Sequence, residues 1–260
     1  MKNDYTENTS SRPQNVEGED VIEGRNSVIS LIKSGRSINR ILIKNEADGS
    51  LKQIEALAAE RKIVLSRVDR RRLDSLSSEG NHQGVIAFAA AKDYDSIEDI
   101  LELARKREEA PFILFCDGIE DPHNLGAIIR TANAVGVHGV VIPKRRSVGL
   151  TSAVYRASAG ALSEMLVARV TNISSEMEKL KREGMWFYSC DMKGDKAYYE
   201  ADYRGSIGLI AGGEDSGVGE LVGKKCDFSV YIPMREETNS LNASVAAGII
   251  MCEAARQRKA

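Results

Sequence analysis

The sequence contains few of the residues from which metal sites and disulfides are built. Its three histidines are scattered, and none stands in the H-x-x-x-H or HExxH spacing of a catalytic zinc site, so no metal is expected. Its cysteines lie far apart, without a CxxC pair and without a histidine nearby. They are Cys116, Cys190, Cys226 and Cys252. A disulfide framework is therefore not expected either, and the reducing cytoplasm is the expected location.

Long apolar runs and a strong net charge are also missing. No stretch approaches the roughly 18 consecutive apolar residues that span a bilayer. The polar N-terminus lacks the apolar segment of a secretory signal, so we expect no membrane partner. No GxSxG motif surrounds a serine, which disfavours acyl transfer. The formal net charge of −2 argues against a protein that holds nucleic acid by bulk electrostatic attraction.

Positive charge is instead concentrated in two short segments. Between residues 61 and 72, six basic side chains stand with a single acidic one, Asp69, and a second group is Lys144-Arg145-Arg146. Both segments could contact nucleic-acid phosphates. A solvated helix face accounts for each of them equally well.

Composition and periodicity divide the chain into four segments. Residues 1–20 contain almost nothing to bury and are expected to be a disordered tail. Residues 21–91 alternate between short apolar strands and amphipathic helices, which is typical of a small layered domain. Residues 92–110 are strongly charged, and we expect a linker that contains a helix. In residues 111–260 the alternation resumes, and its continuous apolar runs predict a mostly parallel α/β sheet covered on both faces.

Three loops after predicted strands are richer in polar and glycine residues than ordinary connections. The first, DGIEDPHN over residues 117–124, leads into a predicted helix that Asp121 or Asn124 could cap. Arg130 follows six residues after Asn124, so a helix does not place these two side chains on one face. The spacing alone favours capping for Asn124 and a surface ion pair for Arg130.

The second and third loops lie closer to the C-terminus. AGGEDSGVG over residues 211–219 can bring a ligand close to the backbone, yet it matches neither the GxGxxG nor the Walker A pattern. The third loop, within residues 232–248, precedes a helix of small residues that Ser240 or Asn242 could cap. Because parallel strands end at the same edge of a sheet, the three loops together predict a ligand site at that edge.

These segments also resemble a known family. DPHNLGAIIRTANAVGVHGVVIP, GLIAGGEDSGVGEL and IPMREETNSLNASVAAGI look like the three motifs of the SpoU/TrmH branch of the SPOUT methyltransferases, in the same order and across the second domain. EGRNSVISLI and NHQGVIAF resemble that family's ribosomal-protein-like RNA-binding domain. KRRSVGLT and the overall arrangement are most similar to the RlmB-type enzymes, which methylate a guanosine ribose in large-subunit ribosomal RNA.

The resemblance implies a fold, a reaction and a set of site residues. It implies a SPOUT domain with a deep trefoil knot, an N-terminal RNA-binding domain, a homodimer, and S-adenosylmethionine (SAM) as the cofactor. The reaction is 2′-O-methylation of an RNA ribose. The residues carried over for cofactor binding are Gly212, Gly213, Ile232, Met234 and Leu241. Those carried over for catalysis are Asn124, Arg130, Glu214, Ser240 and Asn242.

The resemblance leaves the role of Arg130 and the identity of the substrate open. Arg130 matches the family's proposed base, which an RNA phosphate assists, or it stabilises the developing oxyanion, because a guanidinium is hard to deprotonate. Transfer RNA is an alternative substrate to ribosomal RNA. A non-catalytic RNA-binding or ribosome assembly factor with the same fold is an alternative of another class. Acidic residues replace frequent glycines at Asp215 and Glu236, and Ala243 replaces a frequent valine, which puts substrate affinity and loop geometry in question.

Overall fold

The computed structural model describes residues 20–46, 49–77, 81–214, 217–235 and 240–259. The chain divides between Phe88 and Ala89 into two compact units. Within the described ranges, no helix is long and apolar enough to cross a membrane.

The first unit contains a four-stranded sheet in the order β1-β4-β2-β3. Its elements are β1 (Asp20–Glu23), α1 (Arg25–Ser34), β2 (Ile38–Lys44), α2 (Ser50–Glu60), β3 (Leu65–Val68), α3 (Arg70–Leu76) and β4 (Val85–Ala89). Strands β2 and β3 pair in parallel. The predicted tail therefore extends one residue too far, because Asp20 already begins a strand, and residues 1–19 lie outside the described ranges.

Strand β3 begins at Leu65, the last residue of the apolar run at residues 63–65. The reason is the end of α2, which continues into a closing turn. Lys62 takes a positive φ of 53°, and the N–H of Ile63 donates to the carbonyl oxygen of Ala58 at 2.8 Å. This turn uses the N–H of Ile63, and hydrogen bonding to β2 begins at the carbonyl oxygen of Val64, which accepts from the N–H of Ile41 at 2.8 Å.

The second unit is a seven-stranded sheet whose assigned pairs are all parallel, in the order β7-β6-β5-β10-β8-β11-β9. Its strands are β5 (Phe112–Asp117), β6 (Gly139–Pro143), β7 (Leu166–Val170), β8 (Trp186–Cys190), β9 (Lys196–Ala197), β10 (Ile207–Gly212) and β11 (Phe228–Tyr231). Its helices are α4 (Ile97–Lys106), α5 (Pro122–Val135), α6 (Ser152–Ala157), α7 (Ile173–Arg182), α8 (Glu220–Gly223) and α9 (Ala243–Lys259). The predicted mostly parallel α/β sheet is confirmed.

Residues 92–110, predicted as a linker, lie inside the second unit. Ser96 caps α4 in a reciprocal capping box with Asp99, and the apolar stripe of the helix is buried. A Cβ on Gly139 would lie 2.4 Å from Ile100, so α4 packs directly onto β6 at a position that only glycine leaves open. Charge dominates the composition of this segment, but its buried stripe makes it part of the core.

Helices cover the sheet on both faces. On one face α5 and α9 pack over a core that includes Leu114, Ile128 and Met251, and on the other α4 and α7 pack over Phe115 and Phe187. Burial on both faces explains why the strands read as continuous apolar runs. Trp186 lies within an apolar run of the sequence, which favours a place in the core, but it is 53% exposed. It is the first residue of β8, and its indole packs against Phe228 at 5.8 Å between ring centroids.

His138 gives the second unit a defined sensitivity to acid. Its Nδ1 accepts a hydrogen bond from the N–H of Phe112 at 3.0 Å, and Nε2 lies 3.0 Å from Glu109 Oε2. Burial lowers the pKa of His138 below its ordinary value of 6.5, which Glu109 partly opposes. The folded protein therefore holds a neutral imidazole, while the unfolded chain takes up a proton near its ordinary pKa.

We expect the free energy of unfolding to fall as the pH decreases through 6.5 toward the lower pKa of folded His138, because there the unfolded state binds more protons. His138→Asn keeps an acceptor near Nδ1 but cannot titrate, so its stability should change less steeply over this window. Urea unfolding of both proteins between pH 8 and 5.5 measures the difference. Parallel pH profiles would contradict the assignment.

Candidate active site

The three loops singled out in the sequence lie at one edge of the seven-stranded sheet. Strands β5, β10, β8 and β11 are parallel neighbours, so their carboxyl ends meet at this edge. The first loop follows β5, the second follows β10 and the third follows β11. The chain leaves β5 and β10 in opposite directions across the sheet, which opens a crevice between their ends.

Two cavities lie at this edge, named here cavity A and cavity B. Cavity A has a volume of about 320 Å³ and lies between the ends of β8, β10 and β11 and the first turns of α9. All five residues predicted to bind the cofactor line it: Gly212, Gly213, Ile232, Met234 and Leu241. Two residues predicted for catalysis, Glu214 and Ser240, line it as well.

The wall of cavity A depends on glycine where the loop after β10 folds back on itself. A Cβ on Gly212 would lie 2.2 Å from the carbonyl carbon of Gly217 and 2.3 Å from the nitrogen of Val218. A Cβ on Gly213 would lie 2.3 Å from the carbonyl oxygen of Gly118. These are backbone atoms, which cannot move aside without moving the loop. The glycine pair therefore sets the shape of the loop.

Cavity B has a volume of about 420 Å³ and shares Gly213 and Glu214 with cavity A. Its walls come mainly from the loop after β5 and include Asn124. Arg146, from the basic group that follows β6, also lines it. The two cavities are therefore adjacent and share part of one wall.

Asn242 joins the three loops through its side chain. Its Nδ2 donates to Asn124 Oδ1 at 2.9 Å and to Glu214 Oε1 at 2.5 Å. Its Oδ1 accepts from the N–H groups of Ser244 and Val245, so Asn242 rather than Ser240 caps α9. The first turn of α9 fixes the orientation of the Asn242 amide. That amide in turn fixes the positions of the Asn124 and Glu214 side chains.

The residues of the first motif take roles that differ from the predicted alternatives. Asp121 caps α5 by accepting from the N–H of His123, and Pro122 occupies the first turn. Asn124 therefore lies within the helix, 7% exposed, and its side chain is part of the network with Asn242. Arg130 lies farther along α5, is exposed, and lines neither cavity. Four of the five predicted catalytic residues thus come together, and Arg130 does not join them within one chain.

Sequence reasoning missed the contribution of β8. Cys190, Asp191 and Met192 line cavity A, because β8 runs parallel to β10 and ends beside it. Burial, and secondly the negative charge of Asp191, raise the pKa of Cys190 to about 11, so the thiol stays protonated at neutral pH. The apolar run at residues 185–189 predicts a strand, and the end of that strand was the signal that could have identified these residues.

The small residues of α9 have a clear use. Ala243, Ala246 and Ala247 form one side of cavity A, where larger side chains would fill it.

Asp215 and Glu236, the acidic residues that replace frequent glycines, lie outside the residues that the structure describes. Among the described residues, no group of three or more His, Cys, Asp or Glu side chains is arranged to hold a metal ion.

Asn242→Asp separates the two functions of this residue. Asp caps a helix as well as Asn does, so we expect the melting temperature to change by only a few degrees. The carboxylate cannot donate to Asn124 or Glu214 and adds a like charge beside Glu214, so catalytic turnover should fall roughly 100-fold. Steady-state kinetics and thermal melts measure both quantities.

Asn133→Asp is the matched control for that variant. It removes an Asn–Glu hydrogen bond, from Asn133 Nδ2 to Glu164 Oε2 at 3.3 Å, elsewhere on α5. This control should keep its turnover. If Asn242→Asp also turned over like the wild type, the network would have no catalytic role.

Comparison with known proteins gives a consistent result over both units. Residues 111–252 match the SpoU rRNA Methylase family, and residues 21–95 match a family described as RNA 2′-O ribose methyltransferase substrate binding. A Bacillus subtilis (strain 168) protein named as a TrmH family tRNA/rRNA methyltransferase is 43% identical over 240 residues, which cover 92% of this chain and 96% of the relative.

Two solved structures resemble the chain to different extents. An AdoMet-bound rRNA methyltransferase from Sinorhizobium meliloti matches 92% of this chain and 87% of its own, with a TM-score of 0.55 and 23% identity. A TrmH/SpoU tRNA modifying enzyme from A. aeolicus matches 61% of this chain and 83% of its own, with a TM-score of 0.53 and 29% identity.

Proposed function

Because the chain belongs to the SpoU rRNA Methylase family, we propose that it methylates the 2′-hydroxyl of a guanosine in large-subunit ribosomal RNA. RNA methyl transfer with SAM as the methyl donor is the activity of the family, and the chain is an enzyme of this class. The guanosine and the large subunit rest on the resemblance to RlmB-type enzymes. The observation that carries the catalytic proposal is the network of Asn124, Glu214 and Asn242 between the two cavities.

The residues of cavity A suit SAM. Apolar side chains such as Ile232 and Leu241, with the alanines of α9, give the cavity walls that accept an adenosine group. Gly212 and Gly213 let this wall of the cavity pack closely against the backbone of Gly217 and Gly118, where a Cβ would collide. The carboxylates of Asp191 and Glu214 complement a cation. When bound, SAM supplies a methyl group on a positively charged sulfur, and no metal is needed to activate it.

Cavity B is the proposed place of the target ribose. Glu214 belongs to both cavities, so a ribose in cavity B stands next to the contents of cavity A. Asn242 holds Asn124 and Glu214 from one side, which leaves their remaining acceptor positions to orient the 2′-hydroxyl. In-line transfer depends on this alignment, which can supply much of the rate. Arg146 offers a positive charge for a flanking phosphate.

We propose that Arg130 acts in the cavity of a partner subunit. Arg130 lines neither cavity of its own chain and is exposed on α5. Asn242 also lines neither cavity, but it hydrogen-bonds Asn124 and Glu214, which do. A homodimer, which the family resemblance implies, would supply Arg130 from the second copy. There a guanidinium would stabilise the oxyanion that develops on the ribose, or pass its proton to an RNA phosphate.

Ribosomal RNA is favoured over transfer RNA by the N-terminal unit. Residues 21–95 match a substrate-binding family, whereas the tRNA modifying enzyme from A. aeolicus matches only 61% of the chain. The enzyme named for transfer RNA thus matches a smaller part of this chain, which supports a different RNA as the substrate. The name of the B. subtilis relative keeps transfer RNA as the second candidate. The cytoplasm is the proposed location, and the trefoil knot stays a prediction.

Methyl transfer from labelled SAM to unmodified ribosomal and transfer RNA tests the choice of substrate. We expect label in large-subunit ribosomal RNA, and we expect its loss when residues 21–90 are deleted. SAM binding by the deleted protein checks that the second unit still folds. Label confined to transfer RNA would refute the substrate. No SAM binding by the full chain would favour a non-catalytic RNA-binding protein.

A further inference from the structure

Two acidic residues line cavity A, and no lysine or arginine stands among the described residues that line it. The carboxylates belong to Asp191, which follows β8, and Glu214, which follows β10. SAM and its demethylated product, S-adenosylhomocysteine (SAH), differ by one methyl group and by the positive charge on sulfur. A negatively charged wall attracts the first ligand more than the second, so it can separate them.

The two carboxylates are not equivalent. Glu214 Oε1 accepts from Asn242, and the residue also faces cavity B. Asp191, by contrast, lines cavity A but not cavity B. Within the part of the chain that the structure describes, no Lys or Arg side chain forms an ion pair with Asp191. Its charge therefore has no partner that would cancel it before a ligand binds.

The loop after β8 holds Asp191 in position. Its Oδ1 accepts from the N–H of Lys193 at 2.9 Å, and its own N–H donates to the carbonyl oxygen of Val230 at 3.0 Å. Its carbonyl oxygen accepts from the N–H of Gly194 at 3.0 Å. A side chain anchored at one carboxylate oxygen keeps the other in a narrow range of positions. Preorganisation of this kind strengthens an electrostatic contact.

The charge of Asp191 also acts inside the cavity. It contributes, after burial, to the raised pKa of Cys190, a residue that also lines cavity A. A negative charge that disfavours a thiolate at this place favours a cation there by the same interaction.

We propose that Asp191 is a specificity-determining residue that makes cavity A bind SAM more tightly relative to SAH. The proposal rests on the proposed function, because it takes SAM as the ligand of this cavity. Methyl transfer removes the charge from sulfur, so the attraction to Asp191 ends when the product forms. Asp191 then favours the replacement of bound SAH by SAM.

Isothermal titration of the full-length protein with SAM and with SAH tests the proposal. Asp191→Asn keeps an oxygen for the N–H of Lys193 and removes only the charge. Because Asp191 is exposed, solvent screens its effect, and we expect the Kd for SAM to rise about fivefold. The Kd for SAH should stay within about twofold. Asp195→Asn, in the same loop but outside the cavity lining, should change neither constant.

Each other outcome has a distinct meaning. Equal weakening of SAM and SAH by Asp191→Asn would show a purely structural residue and overturn the proposal. Unchanged affinity for both ligands would overturn it as well. A wild-type protein that binds neither ligand would refute the proposed function itself, and the inference with it.

Discussion

Arg130→Ala should lose catalytic turnover by roughly 1000-fold and keep its affinity for SAM. The loss is large because removing a single donor to a developing oxyanion commonly reduces turnover by about 10²–10³-fold. SAM affinity should persist because Arg130 lines neither cavity of its own chain. Methyl-transfer kinetics and calorimetry measure the two quantities. Arg182→Ala, an exposed arginine on α7 at the opposite face of the sheet, is the control and should turn over like the wild type.

A mixed dimer locates the cavity in which Arg130 acts. One subunit carries Arg130→Ala and the other carries Asn242→Asp. If Arg130 serves the partner, one site holds both changes and the other holds neither, so about half of the wild-type activity per dimer returns. If Arg130 serves its own chain, each site holds one change and no activity returns. That second result would refute the shared site.

Gly212→Ala should weaken SAM binding by at least about 100-fold, equivalent to about 2.7 kcal/mol. The new Cβ would lie 2.2 Å from Gly217 and 2.3 Å from Val218, in both cases against backbone atoms. The loop can relieve this contact only by moving, and Gly217 and Val218 are themselves walls of cavity A. Overpacking in such a place commonly costs about 1–3 kcal/mol. Calorimetry with SAM measures the loss.

Gly223→Ala is the matched control for this substitution. A Cβ there would meet only Val218 Cγ1 at 3.9 Å, which is an ordinary van der Waals distance. Its SAM affinity should stay within about twofold of the wild type, and circular dichroism of both variants checks that the fold persists. SAM affinity of Gly212→Ala near that of the control would contradict the proposed role of the loop.

Much of the fold could be predicted because its elements carry strong local patterns. The strands of the second unit are continuous apolar runs, since helices bury both faces of the sheet. The linker prediction missed the packing of α4 because charged side chains dominate its composition. Its buried stripe of Ile97, Ile100 and Ala104 occupies a small part of the sequence but decides where the helix lies.

The site was partly predictable for the same reason. Polar residues after strand ends indicated the edge of the sheet at which both cavities lie, and the family resemblance selected among them. The spacing could not show that Asn242 both caps α9 and contacts Asn124, because those residues lie 118 positions apart. It correctly separated Arg130 from Asn124 on α5, but the sequence of one chain does not indicate whether a second copy brings Arg130 to the site. Asp191 was missed because local periodicity predicts which segments form strands but not the order in which those strands pair in the sheet.

The measurement that tests the central claim most directly is the chemical position of the transferred methyl group. RNA methylated by the wild-type protein with labelled SAM is digested to nucleosides, which are then separated and identified by mass. We predict label on the ribose of a guanosine, as 2′-O-methylguanosine, and none with Arg130→Ala. Label on a nucleobase, or no label in any RNA from a protein that binds SAM, would contradict the account.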